Sequence, residues 1–173
     1  QPANMLRLKE ICEQHQLILI EDAAQAHGAE WGGRKVGSIG DAGIFSFQSS
    51  KNMTAGEGGV IVTNSNSIYE KAVSIHDCGR NRNSNKYEPE ISSLNFRMSA
   101  ISAGILLPQF QSIESDIKLR SENGKFLDEL FSKTVGMYPI EIHPDVSVHA
   151  RHLYIIRYNR DQFLGLPKEK VNV

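Results

Sequence analysis

An α/β fold, with a mainly parallel sheet flanked by helices and then the beginning of a smaller α/β unit, is predicted by three features of this sequence. Strand-like and helix-like segments alternate as far as residue 77. The first strand candidate, Leu17-Ile18-Leu19-Ile20, is a continuous apolar run, as expected of a parallel strand buried on both faces. From Met98 to Phe131 the apolar spacing is helical, and one more strand-like run follows. The chain accordingly divides into residues 1–115, part of a large domain, and 116–173, a connecting helix with part of a smaller one.

Each element has its own local warrant. Asn4 is an N-cap candidate, and Met5, Leu8 and Cys12 recur at helical spacing, which predicts a helix over 4–15. The Leu17–Ile20 strand ends in Glu21-Asp22, and ligands in open α/β sheets gather beyond the carboxyl ends of strands. Gly32-Gly33 signals a tight turn. Ile44 to Phe47 and Val60 to Thr63 read as strands on either side of the Gly56-Glu57-Gly58-Gly59 turn. A helix over about 67–77 is expected to turn Ile68, Ala72 and Ile75 inward.

Residues 78–95 are polar, with Arg80, Asn81, Arg82, Asn83, Asn85 and Lys86. They read either as a solvated loop or as a segment that crosses to a partner subunit or covers a ligand. Met98, Ile101, Ile105, Leu106, Phe110, Ile113 and Ile117 then mark a helix that Pro108 is expected to kink or restart. A second helical stretch has Phe126, Leu127, Leu130 and Phe131 as its core face, and His152 to Tyr158 reads as a strand. Opening at Gln1 without an initiator Met, and closing soon after that strand, the chain reads as a piece of a longer protein.

Bulk properties exclude several classes of function. A chain of 173 residues, 40% hydrophobic and 23% charged, is long enough to bury roughly 70% of its unfolded surface. The net charge of -1 argues against general binding of nucleic acid or acidic membranes. No apolar run approaches bilayer length and no signal core is evident, so a cytoplasmic location is expected. Cys12 and Cys78 are too few and too far apart for a disulfide framework or a Cys-rich metal site. His143, His149 and His152 match no common metal-ligand spacing, so no metal is expected. The glycine-rich turn lacks the ending of a P-loop.

The chemistry concentrates around Lys51. It follows Phe45-Ser46-Phe47-Gln48-Ser49-Ser50, and Gly56, Gly58 and Gly59 beyond it let backbone approach a ligand closely. A lysine in such an enclosed site loses ammonium hydration and becomes a nucleophilic amine. Asp22 reads either as a helix cap or as a carboxylate set against a ring nitrogen; Ser46 reads as a strand serine or a phosphate donor. His27 reads as a structural histidine or an acid–base group. An amine for an aldehyde, a hydroxyl for a phosphate and an anion for a pyridine nitrogen are what a pyridoxal phosphate site needs.

Three segments together resemble the DegT/DnrJ/StrS-type aminotransferases: Glu21-Asp22-Ala23-Ala24-Gln25-Ala26-His27-Gly28, Gly40-Asp41-Ala42-Gly43-Ile44-Phe45-Ser46-Phe47, and Lys51-Asn52-Met53-Thr54-Ala55-Gly56-Glu57-Gly58-Gly59. Leu94-Asn95-Phe96-Arg97-Met98 adds a fourth likeness, so most of residues 1–115 is covered. The resemblance implies a fold type I enzyme using pyridoxal 5'-phosphate (PLP) to aminate a nucleotide-linked keto sugar or related cyclitol, with glutamate or glutamine as donor. It implies Lys51 as the Schiff-base lysine, Asp22 as the pyridine-nitrogen partner, Gln25 near the phenolic oxygen and Ser46 as a phosphate ligand. It also implies that Asn95, with Arg97 as a fallback, reaches the cofactor of a neighbouring subunit in a homodimer with a shared active site.

Related sugar 3-dehydratases carry histidine where Lys51 stands, which places the chain on the aminotransferase side. Family members are roughly twice this length, and Pro108 stands where they continue the helix with a small residue. Two alternatives stand beside this reading. One is a catalytically silent relative or fragment with a regulatory or assembly role. The other is PLP-dependent dehydration and aromatisation of an amino-cyclohexanone.

Overall fold

A computed structural model describes residues 1–81, 89–163 and 165–170. Helix α1 (Met5–Gln14) begins where expected, with the Asn4 side chain accepting a bond from the Arg7 amide at 3.0 Å. It ends as Gln16 turns to positive φ and the Leu17 amide donates back to the Cys12 carbonyl at 2.8 Å. Strand β1 is Ile20–Asp22, later than the apolar run that announced it. The run is not buried on both faces: Leu17, Ile18 and Ile20 are 57–71% exposed, whereas Leu19 is half-buried and Glu21 buried. Residues 18–23 therefore alternate, one side inward and one outward, as in a strand with a single covered face.

Strands β2 (Glu30–Trp31) and β3 (Arg34–Lys35) form the hairpin signalled by Gly32-Gly33, whose φ values of 55° and 75° suit the turn that matches strand twist. Strands β4 (Ala42–Ser46) and β5 (Gly59–Thr63) follow. The first sheet runs β1-β4-β5, with β1 parallel to β4 and β5 antiparallel beside it. Helix α2 (Asn66–His76) is capped by Ser65; Ile68 and Ala72 are half-buried, but Ile75 stays exposed.

Beyond α2, the described ends of the polar stretch pair with each other through Asp77–Asn95 and Arg80–Pro89 bridges. Arg82, Asn83, Asn85 and Lys86 lie outside the described residues.

Helix α3 (Ala100–Ser132) corrects the expectation of two helices, since it runs unbroken through Pro108. Proline removes the donor for the Gly104 carbonyl but leaves the rest of the ladder. The next turn is reinforced, because the Gln109 side-chain amide donates to the Ile105 carbonyl and to Thr54, both at 2.8 Å. Only one side of so long a helix packs on described residues. Leu106 and Ile117 are buried, whereas Ile101, Phe110, Phe126 and Leu130 of the expected core faces are 50–79% exposed.

Strands β6 (Met137–Pro139), β7 (Val146–Val148) and β8 (Ile156–Tyr158) complete the fold. The strand expected from His152 is confined to β8, which pairs with β6, while β7 joins β2 to make a β3-β2-β7 sheet. One core gathers Met5, Ala23, Trp31, Val36, Ile39 and Ala150; a second gathers Phe47, Met53 and Leu106. The turn carrying Lys51 lies between Phe47 and Met53 of the second core, and Asn52 ties it to Ala150 of the first.

Two glycines test this packing. A Cβ on Gly43 would overlap the Gly37 carbonyl oxygen, whereas one on Gly104 meets nothing within 4 Å. Gly43→Ala is expected to destabilise by about 1–3 kcal/mol, and Gly104→Ala to stabilise by up to ~1 kcal/mol, both read from urea unfolding.

Candidate active site

Parallel pairing places the candidate residues. Asp22 pairs in register with Ile44, so β1 ends beside β4 just before Ser46 closes that strand. Both residues therefore stand at carboxyl ends, where side chains face the space beyond the sheet. Asp22 is exposed, and its Oδ1 accepts the Ala24 amide at 3.2 Å. A turn and not a helix follows, so Asp22 caps none, and the bond leaves the carboxylate open to solvent for the second reading. Gln25 is exposed on the turn that follows.

Ser46 is half-buried, its hydroxyl accepting the Gln48 amide at 3.3 Å. Gln48 then organises the turn before Lys51: its Oε1 accepts both the amide and the hydroxyl of Ser50, at 2.9 and 2.7 Å. The Lys51 amide donates to the Gln48 carbonyl at 3.0 Å, and the lysine is half-buried. Beyond it, the Asn52 side chain donates to the Ala150 carbonyl at 2.8 Å. The Gln109 amide bonds both backbone groups of Thr54. The lysine thus sits on a turn held at both ends.

His27 is 5% exposed, with Phe45 and Phe47 at ring-centroid distances of 5.3 and 6.0 Å. Neither ring nitrogen takes a hydrogen bond from the described residues. Burial pushes its pKa below the ordinary value, and the charges of His152 and Lys51 add to that. The Ser46 backbone opposes the shift, though its approach falls short of a hydrogen bond. His152 is lowered as well, by burial and then by Lys51 and Arg120. The mutual effects place Lys51, His27 and His152 in one neighbourhood.

The residues after β7 were not singled out for this site, yet they reach it. A groove of about 600 Å³ is lined by Asp22, Gln25, His149, Arg151 and His152 among others, with Lys51 and Ser46 outside its lining. The Arg151 guanidinium donates to Asp128 of α3 at 2.8 Å, and the Tyr154 hydroxyl donates to the same carboxylate at 2.8 Å. Burial and then the Asp128 bond raise Tyr154 to about 12, so it keeps the proton it donates. Burial, with Arg151 adding to it, pushes His149 below the ordinary value.

Asn95 is not brought to this cluster. It is exposed, bridged to Asp77, and its Oδ1 accepts the Arg97 amide at 3.1 Å. Arg97 pairs with Asp77 and lies 3.4 Å from the Cys78 sulfur. Sequence reasoning missed Glu21, Gln109 and His152 as contributors. The strand alternation next to Asp22 was a usable signal for Glu21; the other two act across long separations. Among the described residues, no three His, Cys, Asp or Glu side chains gather as a metal site, and no helix is long and apolar enough to cross a membrane.

Comparison with known proteins gives the family and the fold. A model of the DegT/DnrJ/EryC1/StrS aminotransferase family matches residues 1–171. The 3-amino-5-hydroxybenzoate synthase of Amycolatopsis mediterranei is 37% identical over 174 residues, covering 98% of this chain and 43% of that protein. The L-glutamine:2-deoxy-scyllo-inosose aminotransferase of Streptoalloteichus tenebrarius is 34% identical, covering 95% and 41%. A crystal structure of 3-amino-5-hydroxybenzoic acid synthase superimposes with a TM-score of 0.84 at 33% identity, covering 91% of this chain and 41% of that one. Such high structural similarity identifies the fold as that of these aminotransferases. The chain spans about two-fifths of the length of these relatives.

The lowered His27 has a consequence for acid stability. An unfolded histidine titrates near 6.5 and the folded one lower, so between the two values the unfolded state binds more protons. Stability held by the neutral ring is complete above about pH 6.5 and is lost as the pH falls through the folded pKa. Urea unfolding at about pH 7.5 and about pH 5.5 is expected to show a smaller acid loss in His27→Phe than in the wild type. Equal losses would show that His27 is not the group responsible.

Proposed function

The chain belongs to the DegT/DnrJ/EryC1/StrS aminotransferase family, and we propose that the whole protein moves an amino group from glutamate or glutamine to the keto group of a nucleotide-linked sugar or related cyclitol. PLP is the cofactor in this reading. The observation that carries it is the parallel β1–β4 register, which sets Asp22 and Ser46 at adjacent strand ends just ahead of the Lys51 turn. Carboxylate, amide, hydroxyl and amine are the donor and acceptor types that a phosphorylated pyridine aldehyde requires, so the residues fit the group.

When bound, PLP supplies an electron sink for a carbanion at the carbon that gains or loses the amino group. The chain's own residues do the rest. Lys51 would hold PLP through its Nζ, and as a free amine it would take the proton from the donor's α-carbon. Asp22 would face the ring nitrogen, where its negative charge would favour the protonated ring. Ser46 would donate its hydroxyl to the phosphate, and Gln25 its amide to the phenolic oxygen. His27, kept neutral, adds no second cation beside Lys51.

Asn95 serves the phosphate of a neighbouring subunit in a homodimer. Support comes from the exposure of Leu94 (69%), Phe96 (61%) and Ile101 (79%) around it, an apolar stretch of the kind a second copy covers. In this reading residues 1–115 belong to the cofactor-binding domain and 116–173 lead into the smaller one, with α3 spanning the boundary.

One observation favours a second reading. The likeness to 3-amino-5-hydroxybenzoate synthase supports dehydration and aromatisation of an amino-cyclohexanone. Product analysis separates the two, since one yields an aminated sugar or cyclitol and the other an ultraviolet-absorbing aromatic amine. The intact set of Asp22, Gln25, Ser46 and Lys51 argues against a silent relative.

Borohydride reduction of the whole protein with PLP, followed by peptide mass mapping, tests the cofactor assignment. The pyridoxyl label is expected on Lys51 alone. Lys51→Ala is expected to lose the label, and turnover by at least about 10²–10⁴-fold. Label scattered over many lysines would refute an organised site.

A further inference from the structure

Glu21 stands beside Asp22, yet the two carboxylates face opposite ways. Strand alternation turns Asp22 outward and Glu21 inward, where it is 5% exposed. Its Oε2 accepts the Gly37 amide at 2.7 Å, and its Oε1 accepts the amides of Ile39 and Gly40, both at 2.6 Å. All three donors lie in the segment that leads into β4. A second carboxylate works in the reverse direction: Asp41 Oδ2 accepts the Leu19 amide at 2.8 Å, while the Asp41 amide donates to the Leu19 carbonyl at 2.8 Å.

The segment between them has no slack. A Cβ on Gly40 would lie 2.6 Å from the Leu19 carbonyl oxygen, and one on Gly37 would lie 2.5 Å from the Phe45 ring. Gly37 also has a φ of 91°, which other residues rarely adopt. Phe45 in turn packs on His27 and directly precedes Ser46.

We propose that Glu21 is a positioning residue: by gripping the approach to β4 it fixes where Asp22 stands relative to Ser46 and Lys51. The inference rests on the PLP reading of that site. Charge-assisted bonds to backbone amides are among the strong hydrogen bonds of a protein, and three of them converge here on one buried side chain. Glutamine cannot replace it. With its oxygen turned to the Ile39 and Gly40 amides, its NH₂ meets the Gly37 N–H, donor against donor. The Gly37 end of the grip then opens, and the displacement passes through Phe45 to the end of β4.

The test uses the whole protein and three variants: Glu21→Gln, Lys51→Ala as the label control, and Thr63→Val. The last removes the Thr63 hydroxyl's bonds to the Asp41 carbonyl, at 2.6 Å, and from the Ser65 amide, at 3.0 Å, and leaves Glu21 and its three amide donors in place. Glu21→Gln, once circular dichroism shows it folded, is expected to bind PLP about tenfold more weakly, the effect of one buried N–H left unpaired. It is also expected to lower kcat more than KM and to move the pH titration of the bound cofactor's visible absorption. Thr63→Val is expected to lower Tm and leave all three readouts unchanged.

A purely structural Glu21 would behave as Thr63→Val does, and that result overturns the inference. Should Glu21→Gln fail to fold, wild-type hydrogen exchange decides. Adding PLP is expected to slow exchange at Gly37, Ile39 and Gly40, and unchanged rates overturn the inference. A wild type that takes no label at Lys51 overturns the functional reading and this inference with it. A labelled wild type with an indifferent Glu21→Gln overturns the inference alone.

Discussion

The parallel pairing of β1 with β4 is the constraint on which the rest of the molecule depends. Parallel neighbours must be joined by a crossover, and here the chain between Asp22 and Ala42 supplies one with the β2–β3 hairpin in place of a helix. The result is two strand ends side by side, each followed by a turn rich in small and polar residues. Asp22 leads to one turn and Ser46 to the other. Because β5 then returns antiparallel beside β4, the chain between them must reverse at the same end of the sheet. The Lys51 turn is that reversal.

Packing on either side keeps the reversal in place. Met53 and Phe47 enter a core with Leu106 of α3, while Ala150 belongs to the core under β1 and its carbonyl receives the Asn52 side chain. Neighbouring histidines are kept neutral by the same burial, so the local field around Lys51 is set by fixed groups. The Asp128 carboxylate completes the arrangement. It holds Arg151 and Tyr154 against α3, and Arg151, at a positive φ of 46°, follows the Ala150 carbonyl that receives Asn52.

Features encoded within a few residues were legible in the sequence. Asn4 and Ser65 cap the helices they precede, Gly32-Gly33 makes its turn, and Asp22 and Ser46 close strands β1 and β4, with Gln25 and Lys51 on the turns that follow. Features set by distant partners were not. Leu17 to Ile20 looks the same to a reader whether one face or two are covered, and its outward half is exposed. Pro108 predicts an interruption by itself, but Gln109 supplies a compensating bond and a contact with Thr54, 55 residues away. Strand β7 has three residues and no alternating pattern long enough to detect; its partner lies near the other end of the chain. Glu21 looked like part of an acidic pair, and only the fold reveals that its three donors come from beyond the hairpin.

The union of β2 with β7 also bears on how the molecule is made. Gly33 and Ser147, hydrogen-bonded at 2.7 Å, are 114 residues apart in sequence. At a ribosomal rate of about 5–20 residues per second, the hairpin emerges roughly 6–23 s before the strand that completes its sheet. A two-stranded hairpin alone is marginally stable in water. The Glu21 grip closes over fewer than twenty residues, so it is available to the nascent chain from the start. The order of synthesis therefore favours setting the strand ends before the hairpin is roofed, and leaves the hairpin as a late-settling part of the newborn chain.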